Sequence, residues 1–198
     1  MRAASPLSTL VRWMGLVSTA VAFASACHPV DQQNARTVAA IEIPLRTDAD
    51  RHDFVEILRR EASTVPDLHV DDVTPRWRQF EAQNGATLPG GKGTIFVGVW
   101  RGRNDDESIA QADDMGHPGR VWLTFSRGED IARSAAFRSR VLADVQRRWP
   151  NAVSLPILPS GAIPLTEDLE LTPSGYRVLP SAASRYGLAK SSPFVASQ

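Results

Sequence analysis

The chain has 198 residues, 22 Lys and Arg against 22 Asp and Glu, and a single cysteine. Balanced charge excludes the basic footprint that nucleic-acid binding requires, and one cysteine excludes a disulfide framework. A chain of this length without cross-links must rest on one sizeable buried core.

The first 26 residues carry the parts of an export signal. Arg2 and Arg12 come first, an apolar run from Trp13 follows, and Ala24-Ser25-Ala26 ends it. The apolar heart is about a dozen residues long, short of the roughly 20 that cross a bilayer. The arginines stand ten positions apart, so there is no twin-arginine motif. Ala24-Ser25-Ala26-Cys27 resembles the lipobox of bacterial lipoproteins. That resemblance implies cleavage before Cys27, a diacylglycerol on its thiol and an acylated new amine. His28 stands where the family's inner-membrane retention signal has Asp, which implies the outer membrane, periplasmic side, with the lipid as the tie to the membrane. Ala24-x-Ala26 also satisfies ordinary signal peptidase, and that alternative gives a soluble periplasmic or secreted chain. A lone thiol is a liability in an oxidising compartment, and acylation removes it. Without Arg2 and Arg12 the remaining chain has a net charge of about −2.

Residues 27–36 read as the anchored cysteine and a polar tether, 37–179 as one domain, and 180–198 as a flexible tail rich in Ser and Ala. Within the domain, Val38 to Leu45 alternates as a strand does. Thr47-x-x-Asp50 forms a capping-box variant ahead of a helix to about Thr64, with Phe54, Val55, Leu58 and Ala62 as its buried stripe. Leu68 to Val73 is a short strand. Thr74-Pro75 starts a short helix through Trp77 and Phe80. Leu88 to Gly93 is a turn, Thr94 to Arg101 a strand, and Asn104 to Asp114 an acidic loop with a short helix at 105–112. Arg120 to Phe125 is a strand. Ser126-x-x-Glu129 caps a helix to Trp149, whose stripe is Phe137, Val141, Val145 and Trp149. A last strand holds Val153, Leu155 and Ile157, and Pro156 places it at a sheet edge. The expected fold is α+β: a two-layer sandwich, a ferredoxin-like split βαβ variant with about five strands and two main helices. Topology of this kind carries no function by itself.

Several constellations bear on possible chemistry. Leu88-Pro89-Gly90-Gly91-Lys92-Gly93-Thr94 lacks the Lys-Ser/Thr step and the following helix of a phosphate loop. Thr124-Phe125-Ser126-Arg127-Gly128 lacks the first glycine of a nucleophile elbow. The acids Asp105, Asp106, Glu107, Asp113 and Asp114 form a candidate cation site by their hard oxygen ligands, although the spacing is not that of an EF-hand. His28, His52, His69 and His117 have no zinc spacing, and no cofactor is called for. His69 with Asp71 and Asp72 could supply a general base and its orienting carboxylate. The arginines Arg133, Arg138, Arg140, Arg147 and Arg148 line one helix and suit either solvent or anionic headgroups.

The aromatic pattern is the main functional lead. With Val97, Val99, Leu123 and Phe125 toward the helices, Phe96, Trp100 and Trp122 point the other way. Either the chain covers that face itself, with Trp77 and Phe80 or with Leu165 to Val178, or the face is a platform for an envelope protein or a sugar ring. The expectation is therefore a non-catalytic, membrane-anchored binding module of the envelope. The alternative is a small periplasmic hydrolase or cation-dependent enzyme.

Overall fold

The computed structural model describes residues 34–84, 95–114 and 119–188. Cys27, residues 28–33, the 88–93 turn, His117 and the chain beyond Leu188 lie outside the described residues.

β1 (Thr37–Ile43) leads into α1 (Asp48–Ser63). The Thr47 hydroxyl accepts from the Asp50 N–H, and the Asp50 carboxylate accepts from the Thr47 N–H, each at 3.0 Å. The reciprocal pair satisfies backbone donors that a helix start leaves orphaned. Phe54, Val55, Leu58 and Ala62 are buried as their spacing requires, joined by Ile57. β2 (Leu68–Asp72) and α2 (Thr74–Asn84) follow. The Thr74 hydroxyl accepts from the Phe96 N–H at 3.0 Å and ties α2 to the start of β3 (Phe96–Arg101).

The stretch expected as an acidic loop with a short helix is instead β4 (Glu107–Asp113). Ile109, Ala110 and Ala112 are buried, and the acids at the two ends obscured this short apolar pattern. The hairpin turns at Gly102 (φ 85°) and Asp105 (φ 55°), and the register slips between Val99 and Trp100. Gly102 fits because a Cβ there would lie 2.1 Å from an Asp106 carboxylate oxygen.

β5 (Val121–Ser126) precedes α3 (Ile131–Arg148). The cap of α3 is Asp130, whose carboxylate accepts from the Arg133 N–H at 3.0 Å. Ser126 ends β5, paired with Thr37. β6 is only Val153–Ser154, at the sheet's edge beside β1, and Pro156 lies just beyond it. β7 (Leu169–Thr172) and β8 (Gly175–Val178) form a separate hairpin.

The described residues form a six-stranded sheet in the order β2-β3-β4-β5-β1-β6, antiparallel throughout, rather than about five strands. β5 and β6 are joined through α3 and run parallel with β1 between them, a split βαβ unit. β1 and β2, joined through α1, enclose β5, β4 and β3 in the same manner. This is an α+β two-layer sandwich with an added hairpin inside it. Ile41, Ile43, Val97, Val99, Leu123 and Phe125 meet Phe54, Leu58, Phe137, Val141 and Val145 in one core. The Phe125 and Phe137 rings meet edge-on at 6.4 Å.

Local contacts tie both ends of the described chain to the domain. Arg127 N–H donates to the Arg36 carbonyl at 2.9 Å and Gly128 N–H to the Asn34 carbonyl at 3.1 Å, so the chain joins the domain from Asn34. At the other end Ala182 and Ala183 are buried, and a 3₁₀ turn spans Ala183–Tyr186. Arg185 donates to the buried Asp168 carboxylate at 2.6 Å, and the Tyr186 hydroxyl donates to the same oxygen. A buried carboxylate that captures these two side chains holds the segment expected as tail through Leu188.

Phe137→Ala removes a fully buried ring from the helix–sheet contact. We expect a loss of about 3–5 kcal/mol, read as a lower urea midpoint with unchanged m.

Candidate functional site

Antiparallel partners share a sheet face, so the pairing defines the side away from α1 and α3. Across it run His69, Trp100 and Ser108; then Asp71, Gly98, Gln111, Thr124 and Ala40; then Phe96, Asp113, Trp122 and Glu42. The chain after β6 crosses part of this face. Leu155, Ile157, Ile163, Leu169 and Tyr176 pack with Ala40 and Trp122.

One polar knot fixes that cover. Glu42 accepts from the Trp122 indole N–H and from the Tyr176 hydroxyl, each at 2.9 Å. Arg120 donates to the Tyr176 oxygen at 3.3 Å and lies 3.5 Å from Glu42. Burial, then the hydrogen bond to and negative charge of Glu42, push the Tyr176 hydroxyl's pKa up.

The expected aromatic platform is therefore divided. Trp122 is 6% exposed, beneath the C-terminal segment. Trp100 lies back over Gly98, where a Cβ would stand 2.3 Å from the indole nitrogen. Trp100 and Phe96 are half-buried. Trp77 and Phe80 leave this face to the C-terminal segment; they pair with each other at 5.9 Å and remain 39% and 46% exposed.

Between the face and its cover lies a groove of about 470 Å³. Its floor includes Phe96, Gln111, Asp113, Trp122 and Thr124; its roof is the strap from Gly161 to Glu167. The size lies in the range of small-molecule sites. Among the described lining residues the charged ones are Asp113 and Glu167, both acidic.

The other candidates separate. Asp105 lies 2.6 Å from His69, and Glu107 lies 2.9 Å from Arg101 while its other oxygen accepts from the Glu129 N–H. Asp106 packs against Gly102 in the hairpin turn. Asp113 and Asp114 lie at the far end of β4, a strand of seven residues and hence about 20 Å long. Among the described residues no group of three or more His, Cys, Asp or Glu side chains is placed to hold a metal ion. Asp71, expected to orient His69, instead takes the Arg76 guanidinium at 2.6 and 2.9 Å. The Asp72 carboxylate accepts from the Thr74 N–H at 3.0 Å.

Two of the helix arginines, Arg140 and Arg148, reach across to α1. Arg140 meets the buried Glu61 at 2.9 Å and Thr64 at 2.8 Å, and Arg148 meets Asp53 at 3.0 Å. Arg133 meets its own cap Asp130 at 3.2 Å, and burial lowers the pKa of Arg138. Asp144 binds Arg60 and Arg147. Burial pushes the Asp144 carboxyl up, but the hydrogen bonds and charges of those two arginines outweigh it and leave its pKa below the ordinary value.

Glu42, Tyr176 and Asp168 had no sequence signal as a set, because their partners lie up to 134 positions away. The fold and groove define a class, a two-layer α+β domain with a strapped sheet face. No family model, curated protein or solved structure matches the chain.

Two pH effects follow. Because the folded state resists forming the Tyr176 phenolate, its contribution to stability is complete below the ordinary tyrosine pKa of about 10 and is lost as pH rises through the raised value. Tyr176→Phe should remove this alkaline component from a pH series of urea midpoints. For Asp144 the sign reverses: its contribution is present above about pH 4 and is lost as pH falls through the lowered value. Asp144→Asn should flatten the acid limb of the same series.

Proposed function

We propose that the chain is an exported, lipid-anchored binding module of the bacterial envelope, without catalysis of its own, and that the strapped groove is its ligand site. The groove carries this reading. It combines the rings of Phe96 and Trp122 with the amide of Gln111 and the hydroxyl of Thr124. Aromatic surface with a few convergent polar groups is the usual make-up of a binding pocket.

Glu167 in the described lining disfavours phosphorylated or carboxylated ligands, which its charge would repel. An uncharged, hydroxyl-rich ligand fits better: a sugar ring can lay its apolar face on an aromatic side chain while its hydroxyls reach Gln111 and Thr124. β3, β4 and β5 are paired on both sides beneath the groove. Side chains, rather than a free strand edge, thus offer the contacts, which favours a glycan over an added peptide strand. The hydrolase reading has less support, because His69 and its neighbouring acids have separate partners.

Anchoring is supported by the leader and Cys27. In detergent phase separation of the native protein, Cys27→Ala should move the chain from the detergent to the aqueous phase. Intact mass should show the acylated N-terminal residue only when Cys27 is present. For the groove, purified envelope glycan serves as probe in cosedimentation. Phe96→Ala and Gln111→Leu should each release most of the bound protein, while Glu56→Gln, on α1, should not. Equal binding by all variants would count against the groove.

A further inference from the structure

We infer that the domain is held on the membrane in one orientation, with the pole that carries the start of α3 against the lipid surface. This rests on the lipid-anchor reading and adds to it a defined contact face. The carbonyls of Asn34 and Arg36 accept backbone hydrogen bonds from Gly128 and Arg127 at 3.1 and 2.9 Å. The Arg36 side chain crosses Gly161, where a Cβ would meet it at 2.6 Å, and donates to the Pro159 carbonyl at 2.7 Å. The chain therefore enters the domain at a fixed point beside residues 127–130 and 159–161.

That point lies at one end of the sheet. β1 begins there and β5 ends there, as the Thr37–Ser126 pair shows. α3 starts there at Ile131, and the β3–β4 hairpin turns there. The opposite pole holds the Ile43–Val121 pair, the start of α1 and the end of α3.

The tether fixes which pole meets the lipid. From Cys27 to Asn34 there are seven Cα steps, which span at most about 25 Å when fully extended. β1 alone has seven residues and a length of about 20 Å. The far pole could reach the bilayer only if the whole tether lay back along the side of the domain. The near pole needs no such path.

The exposed residues of that pole suit close approach to lipid rather than an anionic docking patch. Ile131 is 50% exposed, and Ala132 and Arg133 beside it are exposed. Arg103, Arg127 and Arg133 are interspersed with Asp105, Asp106, Glu129 and Asp130, so the pole has mixed charge. The tether, not a field, sets the orientation, and a zwitterionic surface suffices.

The chain's only cysteine is the anchor, so an introduced cysteine becomes the sole free thiol of the acylated protein. Ala132→Cys marks the near pole and Ala49→Cys, in the first turn of α1, the far pole; both positions are exposed. Each acylated variant is labelled with a fluorophore and placed in phosphatidylcholine vesicles containing nitroxide-headgroup lipid. The dye at 132 should lose most of its emission and the dye at 49 little. Lengthening the tether with a long Gly-Ser segment after Val30 should remove the contrast. Equal quenching at the original length, or stronger quenching at 49, overturns the orientation while leaving the anchor intact. A chain that carries no acyl mass and fails to float with vesicles overturns the anchor and the orientation together.

Discussion

The Glu42 carboxylate holds the second face of the sheet closed. An antiparallel sheet covered by helices on one side leaves its other side to water or to further chain. Here that other side carries Trp122, and Glu42 takes the indole N–H and the Tyr176 hydroxyl together. A half-covered carboxylate is acceptable because each oxygen has a charge-assisted partner. The same bonds clamp β8 over the sheet, which leaves the strap from Gly161 to Glu167 standing over Phe96 and Thr124. Cover and groove thus have one origin.

The framework was legible wherever periodicity or a local cap carried the information. The stripe of α3, the Thr47–Asp50 box and the alternation of β3 and β5 are short-range patterns, and they fold as their spacing requires. The inward set Val97, Val99, Leu123 and Phe125 also faces the helices as alternation dictates. β4 was not legible as a strand, since acids at both its ends mask Ile109, Ala110 and Ala112. The Ser126 box failed for a related reason. A strand continued through Ser126 by pairing with Thr37, and the cap passed to Asp130.

The candidate site was half legible. Alternation picked out the outward aromatics, but it could not say which chain segment would cover them. Trp122 is buried because Leu155, Ile163, Leu169 and Tyr176 reach it from far along the sequence. Trp100 lies over Gly98, a contact between residues two apart on one face, and stays half-buried. The carboxylates that looked like a cluster in sequence were separated by the length of β4, and the partners of Asp105 and Glu107, His69 and Arg101, come from other strands. Sequence proximity placed them together; pairing took them apart.

The outermost strands have a consequence for many copies gathered on one surface. A bare strand edge can recruit the edge of another molecule and propagate a filament. One margin of this sheet is β2, with His69, Asp71 and Asp72 along it. The other is β6, two residues long, stopped by Pro156 and flanked by the β7–β8 hairpin. Among the described residues neither margin offers a long apolar template, so these edges give molecules crowded side by side no ready means of zipping into polymers.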